Sequence, residues 1–275
     1  MAAWRRRLRR ATRSLARRAT RWFRALGWRR ALAVVLVAAA AVGLAARWAW
    51  RQAAPPERPP RTSEDICSVL REKPHWYAAT RAAAAESQVA EGILLAIIET
   101  ESRFEGGARP PRRRLLGVVP WRHVSTASGY AQALDGAWGE FEAHLGRPAR
   151  RTRFDDSVRF VGWYLERARR RLGLGDDVAG LYLAYHEGIA GYRSGRWRGK
   201  QSLRRLATRV AARSGYMQER LEQCRRELTL RLVARRAARL LAVVAWALLV
   251  LGLWRSGGPG ARRRRGRRRR RRRRS

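Results

Sequence analysis

Glu91-Gly92-Ile93-Leu94-Leu95-Ala96-Ile97-Ile98-Glu99-Thr100-Glu101-Ser102-Arg103-Phe104 is strongly apolar and shows no period-two alternation, so it reads as a core-facing helix. On that helix Glu101 lies three and four residues after Ile98 and Ile97, and seven after Leu94, which puts it on the apolar side. Glu99 falls off that stripe, and Glu105 stands at the helix end beside Gly106-Gly107. A carboxylate on a core-facing stripe costs several kcal/mol if left charged and unpaired, roughly, so it tends towards a raised pKa. That is what a general acid at neutral pH needs. Two plainer readings stand beside it: a buried Glu satisfied by a partner, or a stripe that ends one turn earlier.

The chain on either side is also helical. Trp76–Glu86 is alanine-rich, and Ser157–Leu172 carries Val158, Val161, Leu165, Ala168 and Leu172 on one face. Val178–His186 is short and apolar, and Ser202–Leu228 carries Leu203, Leu206, Val210, Met217, Leu221, Cys224 and Leu228. The spacing therefore predicts an all-α domain. Gly106–Ser128, with three prolines and no period, reads as a long irregular insertion, and long insertions in compact domains usually serve function. Ser63 followed by Glu64 and Asp65 reads as a helix N-cap with acids in the first turn. Asp155-Asp156 before Ser157 reads as a cap rather than a catalytic pair. Cys67 and Cys224 sit near the two ends of this region. Outside the membrane a bridge between them would clamp the first helix to the last; the alternative is two separate buried thiols.

The formal net charge of +41 is concentrated at the ends. Residues 1–30 hold 12 Arg and no acid, and residues 255–275 hold 13 Arg and no acid. The middle remains basic, which suits an anionic partner. Just inside each end lies an apolar run, residues 31–50 and Leu240–Trp254. The first is a candidate transmembrane helix. The second has only 15 apolar residues against the roughly 20 a span needs, so it is marginal. The positive-inside rule places both tails in the cytoplasm and residues 51–239 outside, although Arg231, Arg235, Arg236 and Arg239 put charge on the outer side as well. Residues 4–26 carry Trp4, Leu8, Ala11, Leu15, Ala19, Trp22 and Leu26 as one stripe, the pattern of a helix lying on an anionic membrane face. No clear small-x-small site marks a cleaved signal peptide, and Glu64-Asp65-Ile66 before Cys67 is unlike a lipidation box. The resulting division is a basic amphipathic cytoplasmic segment at 1–30, a span at 31–50 and a Pro/Arg linker at 51–62. The helical domain follows at 63–228, then a helical extension with a candidate span at 229–254, and a polyarginine tail at 255–275.

Ile97-Ile98-Glu99-Thr100-Glu101-Ser102-Arg103-Phe104 resembles the Glu-Ser-x-Phe signature of the soluble lytic transglycosylase catalytic domain, a relative of goose-type lysozyme. Gly129-Tyr130-Ala131-Gln132 resembles the family's Gly-Leu-Met-Gln block. Ala184-Tyr185-His186-Glu187-Gly188 resembles its Ala-Tyr-Asn-Ala-Gly block, with Gly191-Tyr192 close behind. The order is right and the resemblance spans about Ile66 to Cys224. The cysteine near each end, the Ala108-Arg109-Pro110-Pro111-Arg112 stretch and the His-Glu variant are similar to an envelope subgroup with an Ala-Tyr-His-Glu-Gly motif.

The resemblance implies a lysozyme-like fold and cleavage of the bond between N-acetylmuramic acid and N-acetylglucosamine in peptidoglycan. Glu101 would be the sole catalytic carboxylate, acid first and then base on the C6 hydroxyl, closing a 1,6-anhydro ring without water. Ser102, Gln132, Tyr185, Tyr192, His186 and Glu187 would be substrate-binding, with the Tyr185 hydroxyl approaching the catalytic carboxyl. His186-Glu187 departs from the common pattern and adds a second ionisable pair. Glu187 either activates water, as in two-carboxylate glycosidases, or pairs with an arginine and stays out of the chemistry. The four histidines are scattered, and no HExxH or CxxC occurs, so no metal or cofactor is expected. Expected partners are glycan strands and membrane lipid, with anionic lipid or nucleic acid at the arginine tails. The expected location is a bacterial cytoplasmic membrane with the catalytic domain on its outer side. Two rival functions stand: a hydrolase of the same fold, and a non-catalytic scaffold that holds anionic polymers.

Overall fold

A computed structural model describes residues 28–53, 55–115 and 119–256. The elements in chain order are α1 (Trp28–Ala53), α2 (Ile66–Glu72), α3 (Pro74–Ser87), α4 (Glu91–Ser102), β1 (Arg112–Leu115) and β2 (Val119–His123). They continue with α5 (Asp135–Leu145), α6 (Phe154–Leu172), α7 (Val178–Arg193) and α8 (Gln201–Ser256). Two units divide the chain: Pro55–Ala234, and Met1–Ala54 together with Arg235–Ser275.

Pro55–Ala234 is an all-α domain with one small hairpin. Its centre is α4, on which Leu94, Leu95, Ala96, Ile97 and Ile98 are all fully buried. A helix apolar all round needs cover on every side, and α3, α6 and the first part of α8 supply apolar faces to the same core. The amphipathic α6 turns Val158, Val161, Leu165 and Ala168 inward. Its last turn holds Arg169, Arg170 and Arg171, where positive charge suits the carbonyl end of a helix.

One aromatic knot ties together segments distant in sequence. The Trp76 ring of α3 stacks on Phe154 at 4.2 Å and on Phe104 at 5.8 Å, and meets Tyr130 edge-on at 5.5 Å. Phe104 reaches that position because Arg103 and Phe104 both take the left-handed conformation, at φ 52° and 63°. Such a pair of non-glycine residues costs on the order of 1–2 kcal/mol each and persists only where packing dictates it. The turn ends α4 directly after Glu101 and Ser102.

Cys67 of α2 and Cys224 of α8 form a disulfide across 157 residues, with Cα atoms 6.1 Å apart. Of the two readings open in the sequence, the bridge is the one realised.

Several boundaries differ from the sequence expectations. Asp65, not Ser63, caps α2: its carboxylate accepts from the Cys67 and Ser68 amides and from the Ser68 hydroxyl. Asp155 and Asp156 lie inside the first turn of α6, and Asp156 is instead buried against Arg147 and the Arg150 amide. Helix α7 runs past His186 to Arg193, broken at Gly188, where φ 78° and ψ 156° leave helical geometry. The insertion at Gly106–Ser128 holds the antiparallel β1–β2 pair. A ribbon made by backbone pairing needs no apolar alternation, so the period test passed over it. Helix α5 was not anticipated either.

In the second unit, α1 exposes Val35, Val37, Val42, Leu44, Trp48 and Trp50. The last part of α8 exposes Leu240, Leu241, Val243, Val244, Leu248, Leu249 and Leu251. Both α1 and α8 are long and apolar enough to cross a membrane by length and composition. The second run, short when counted alone, lies within a helix that continues through residues 229–256 without a break. The start of α1 meets the end of α8: Arg30 Nε donates to the Trp254 carbonyl at 3.2 Å, and its guanidinium covers the Trp254 ring. The amphipathic stripe at 4–26 and the polyarginine run lie outside the described residues.

Replacing both cysteines by alanine should cost about 2–5 kcal/mol, because closing a loop of this length restricts the unfolded chain. Denaturant unfolding of oxidised and reduced wild type beside the double variant checks it, and a difference under 1 kcal/mol, roughly, would contradict the clamp.

Candidate active site

Glu101 opens onto a cavity of about 450 Å³. Its lining also includes Ser125, Ala127, Gln132, Leu134, Phe160, Tyr164, Tyr185, His186, Glu187 and Gly188. Four elements converge there: the end of α4, the segment 125–137, the middle of α6 and the kinked part of α7.

The carboxyl of Glu101 is unusual among the glutamates of its helix. Glu91 pairs with Arg225 at 3.0 Å, and Glu99 is held by Arg213 through two bonds of 2.7 Å. Glu101 Oε1 is buried without a hydrogen-bond partner among the described residues. Burial pushes its pKa up to about 7, while the Tyr182 hydroxyl, acting as a hydrogen-bond partner, pulls it down. The group can therefore hold a proton near neutrality and release it, as a general acid must.

Tyr182 is the residue the sequence reading missed. Tyr185, whose hydroxyl was expected to approach the carboxyl, donates its Oη to the Ala131 carbonyl at 2.5 Å and has its pKa raised by burial and by the Glu101 carboxyl. Tyr185 lines the cavity and meets Tyr164 edge-on at 5.4 Å. Tyr182 lies three residues earlier on α7, almost fully buried, and its own pKa is raised by burial and by Glu101. An apolar face holding both tyrosines offered no signal to choose between them.

Gln132 lines the cavity in a left-handed conformation, at φ 46°. Its Nε2 donates to the Ala108 and Gly129 carbonyls at 3.0 and 2.8 Å, so its Oε1 is the end left to accept from a ligand. Gly129 explains the start of that motif: at φ 77° an added Cβ would stand 2.0 Å from the Arg151 carbonyl. Tyr130 and Ala131 are fully buried and pack without displacing Gln132. Arg151 then fixes the segment from outside the cavity. Its Nη1 donates to the Thr126 carbonyl and the Ser128 hydroxyl at 3.1 Å, it pairs with Asp135 at 2.7 Å, and it covers the Trp138 ring.

His186 and Glu187 both line the cavity. Lys200 Nζ donates to both Glu187 oxygens, at 2.8 and 2.9 Å, and His186 Nδ1 lies 3.1 Å from Oε1. These partners hold Glu187 below its ordinary range, Lys200 most of all. The partner is thus a lysine, where an arginine was expected.

Two expected residues lie elsewhere. Ser102 is buried, donates to the Ile98 carbonyl of its own helix and does not line the cavity. Tyr192 stacks on Trp197 at 5.3 Å, also away from the lining.

The family described as Transglycosylase SLT domain matches residues 30–224, a span that takes in α1 as well as the whole cavity. No curated protein matches the chain.

Glu101→Gln should reveal the cost of that burial. A carboxyl whose folded pKa is raised favours the fold below its unfolded value, near 4.3, and loses that contribution as pH rises through about 7. The variant should match wild type at pH 4 and be more stable at pH 8 by roughly 3–4 kcal/mol. Denaturant unfolding at the two pH values measures it; equal differences at both would show an unshifted carboxyl.

Proposed function

Since the chain belongs to the transglycosylase SLT domain family, we propose that it is a lytic transglycosylase that cuts peptidoglycan with Glu101 as its only acid and base. Protonated Glu101 gives its proton to the glycosidic oxygen between N-acetylmuramic acid and N-acetylglucosamine as the bond from C1 breaks. The resulting carboxylate takes the proton of the C6 hydroxyl as O6 bonds C1. The muramoyl residue closes to its 1,6-anhydro form, no water is consumed, and Glu101 ends protonated as it began.

The observation that carries this reading is the contrast between the two carboxylates in the cavity lining. Glu101 has a buried oxygen with no partner and a pKa near 7. Glu187 has both oxygens on Lys200 and is held in its charged form. Hydrolysis with two carboxylates needs the second one free to activate water or attack C1. Glu187 is committed elsewhere, which favours the intramolecular nucleophile. In this mechanism Gln132 and Tyr185 contact sugar, and Tyr182 tunes the acid.

The same reading places the enzyme on the outer side of a bacterial cytoplasmic membrane. Two helices have the length and composition of spans. The start of α1 meets the end of α8, as expected of chain ends on one side of a bilayer. The Cys67–Cys224 bridge suits an oxidising compartment. The positive-inside rule assigns the arginine-rich ends to the cytoplasm.

Glu101→Gln should lower the release of soluble muropeptides by at least about 10⁴-fold, since one residue holds both proton-transfer roles. Mass spectrometry of wild-type digests should find muramoyl ends one water lighter than the hydrolytic product. A tenth of wild-type turnover in the variant would remove Glu101 from the mechanism. Tyr182→Phe should move the basic limb of the pH–rate profile to higher pH, because it deletes the group that lowers the Glu101 pKa. A limb that stays in place or moves down would contradict that role.

A further inference from the structure

Gln132 lines the cavity in the left-handed region, at φ 46°, three residues after Gly129 at φ 77°. A non-glycine residue there is strained and persists only where its surroundings over-determine it. Three contacts do so. The Gln132 amide donates to the Gly129 carbonyl, and its Nε2 donates to the carbonyls of Ala108 and Gly129. The carbonyl of Ala131, one residue earlier, accepts from Tyr185 Oη. The first two contacts stay within the stretch 108–132, while the third ties the turn to α7, 54 residues away. The Ala131 carbonyl and the Gln132 amide belong to one planar peptide unit, so the Tyr185 hydroxyl bears directly on the φ of Gln132.

The surroundings keep that bond in place. Ala131 is fully buried, and a buried carbonyl that loses its donor has little water to turn to. The Tyr185 ring is met edge-on by Tyr164 at 5.4 Å and by Phe160 at 6.3 Å, which sets the direction of its hydroxyl. Burial, and then the nearby Glu101 carboxyl, push the Tyr185 pKa well above its ordinary value, so the hydroxyl remains a donor. Its single proton is spent on the Ala131 carbonyl, and Tyr182 is the tyrosine that bonds the Glu101 carboxyl. With Nε2 held by two carbonyls, Gln132 has Oε1 to offer the cavity. Rotation of the Ala131–Gln132 peptide would carry that oxygen away.

We infer that Tyr185 is a positioning residue that acts through Gln132: its hydroxyl holds the strained Ala131–Gln132 turn that aims Gln132 Oε1 at the bound sugar. This role is separate from any contact of the Tyr185 ring with sugar. It rests on the transglycosylase reading for the identity of the ligand, whereas the clamp on the turn is a property of the fold.

Two double-variant cycles on the full chain in detergent test it. In the first, Glu101→Gln is the parent so that the probe survives, and calorimetry measures binding of a four-sugar peptidoglycan fragment. Tyr185→Phe keeps the ring and removes the hydroxyl, and should raise Kd by about fivefold, the loss of one hydrogen bond. Gln132→Ala should raise it at least as much, and adding Tyr185→Phe to that variant should change Kd by less than about twofold. Additive losses overturn the inference, and so does a Tyr185→Phe variant that binds like its parent. With Glu101 intact, Tyr185→Phe should leave the basic limb of the pH–rate profile where wild type has it. A limb moved to higher pH would make Tyr185 a partner of the acid instead.

The second cycle is thermal unfolding with Gln132→Gly, since glycine adopts the left-handed turn without strain. Tyr185→Phe should lower Tm in the wild-type chain and lower it clearly less beside Gln132→Gly. If Tyr185→Phe alone does not fold, Gln132→Gly should restore folding. Equal losses of Tm, or no rescue, overturn the clamp. A parent that binds no fragment sinks the glycan reading, and the second cycle then decides the clamp by itself.

Discussion

The structure is organised around an uncompensated carboxyl group on its most buried helix. The chain has 62 basic residues against 21 acidic ones, so a buried acid without a cation stands out. Glu91 and Glu99, on the same helix, each hold an arginine. Glu101 does not, and no arginine or lysine lines its cavity among the described residues. A guanidinium within reach would pull the carboxyl down by about one to three pKa units and destroy it as an acid at neutral pH. Keeping cations out is therefore as much a requirement of the site as keeping Glu101 in. The aromatic wall of Phe160, Tyr164 and Tyr185 meets it by filling space with rings that carry no positive charge.

The cations are used instead as struts behind the walls. Arg151 ties the 125–137 segment through the Thr126 carbonyl, the Ser128 hydroxyl and Asp135, and covers the Trp138 ring. Lys200 ties the kinked part of α7 through Glu187. Arg213 ties α4 to α8 through Glu99 and continues to the carbonyls of Ser63 and Glu64. Each strut ends on carboxylate, carbonyl or hydroxyl oxygens, so the positive charge is spent locally. Half-exposed pairs of this kind add little stability in isolation. Their value here is geometric, since they fix loops whose own packing is slight.

What the sequence made legible follows from what periodicity can report. The apolar run of α4 and the one-sided stripe of α6 are strong helical signals; the first put Glu101 on an apolar face, and the resemblance to the Glu-Ser-x-Phe signature singled it out. The blocks at Gly129–Gln132 and Ala184–Gly188 located two cavity walls. Conformation within those blocks was harder to see. Ser102 stands next to Glu101, yet a helical turn rotates adjacent residues about 100° apart, which sends it into the core. Tyr182 and Tyr185 share a face and both feel the Glu101 charge, and only the side-chain geometry gives the hydrogen bond to Tyr182 and turns the Tyr185 hydroxyl to the Ala131 carbonyl. Lys200 and Arg151 lie in loops without a period, and one basic residue among 62 carries no signal of its own. The unity of α8 was hidden because charged residues between Arg231 and Arg239 interrupt its apolar pattern, although arginine is a good helix former.

Helix α8 shows how one element serves several of these demands. Within the helical domain it buries Leu203, Val210, Met217 and Leu221 and carries one half of the disulfide. From the same stretch, Arg213 and Arg225 reach the two glutamates of α4 that flank the core residues Leu94 to Ile98. Helix α4 is thus gripped at both ends by charged pairs and in the middle by apolar contact, and Glu101 sits just beyond the second grip. A carboxyl there inherits a fixed position with the Tyr182 hydroxyl, rather than a charged group, as its hydrogen-bond partner. In the proposed mechanism that suits a group that surrenders its proton and recovers it: its placement depends on the backbone of α4, so it survives the loss of either charge state. A pairing strong enough to hold the side chain directly would also have held it in one of those states.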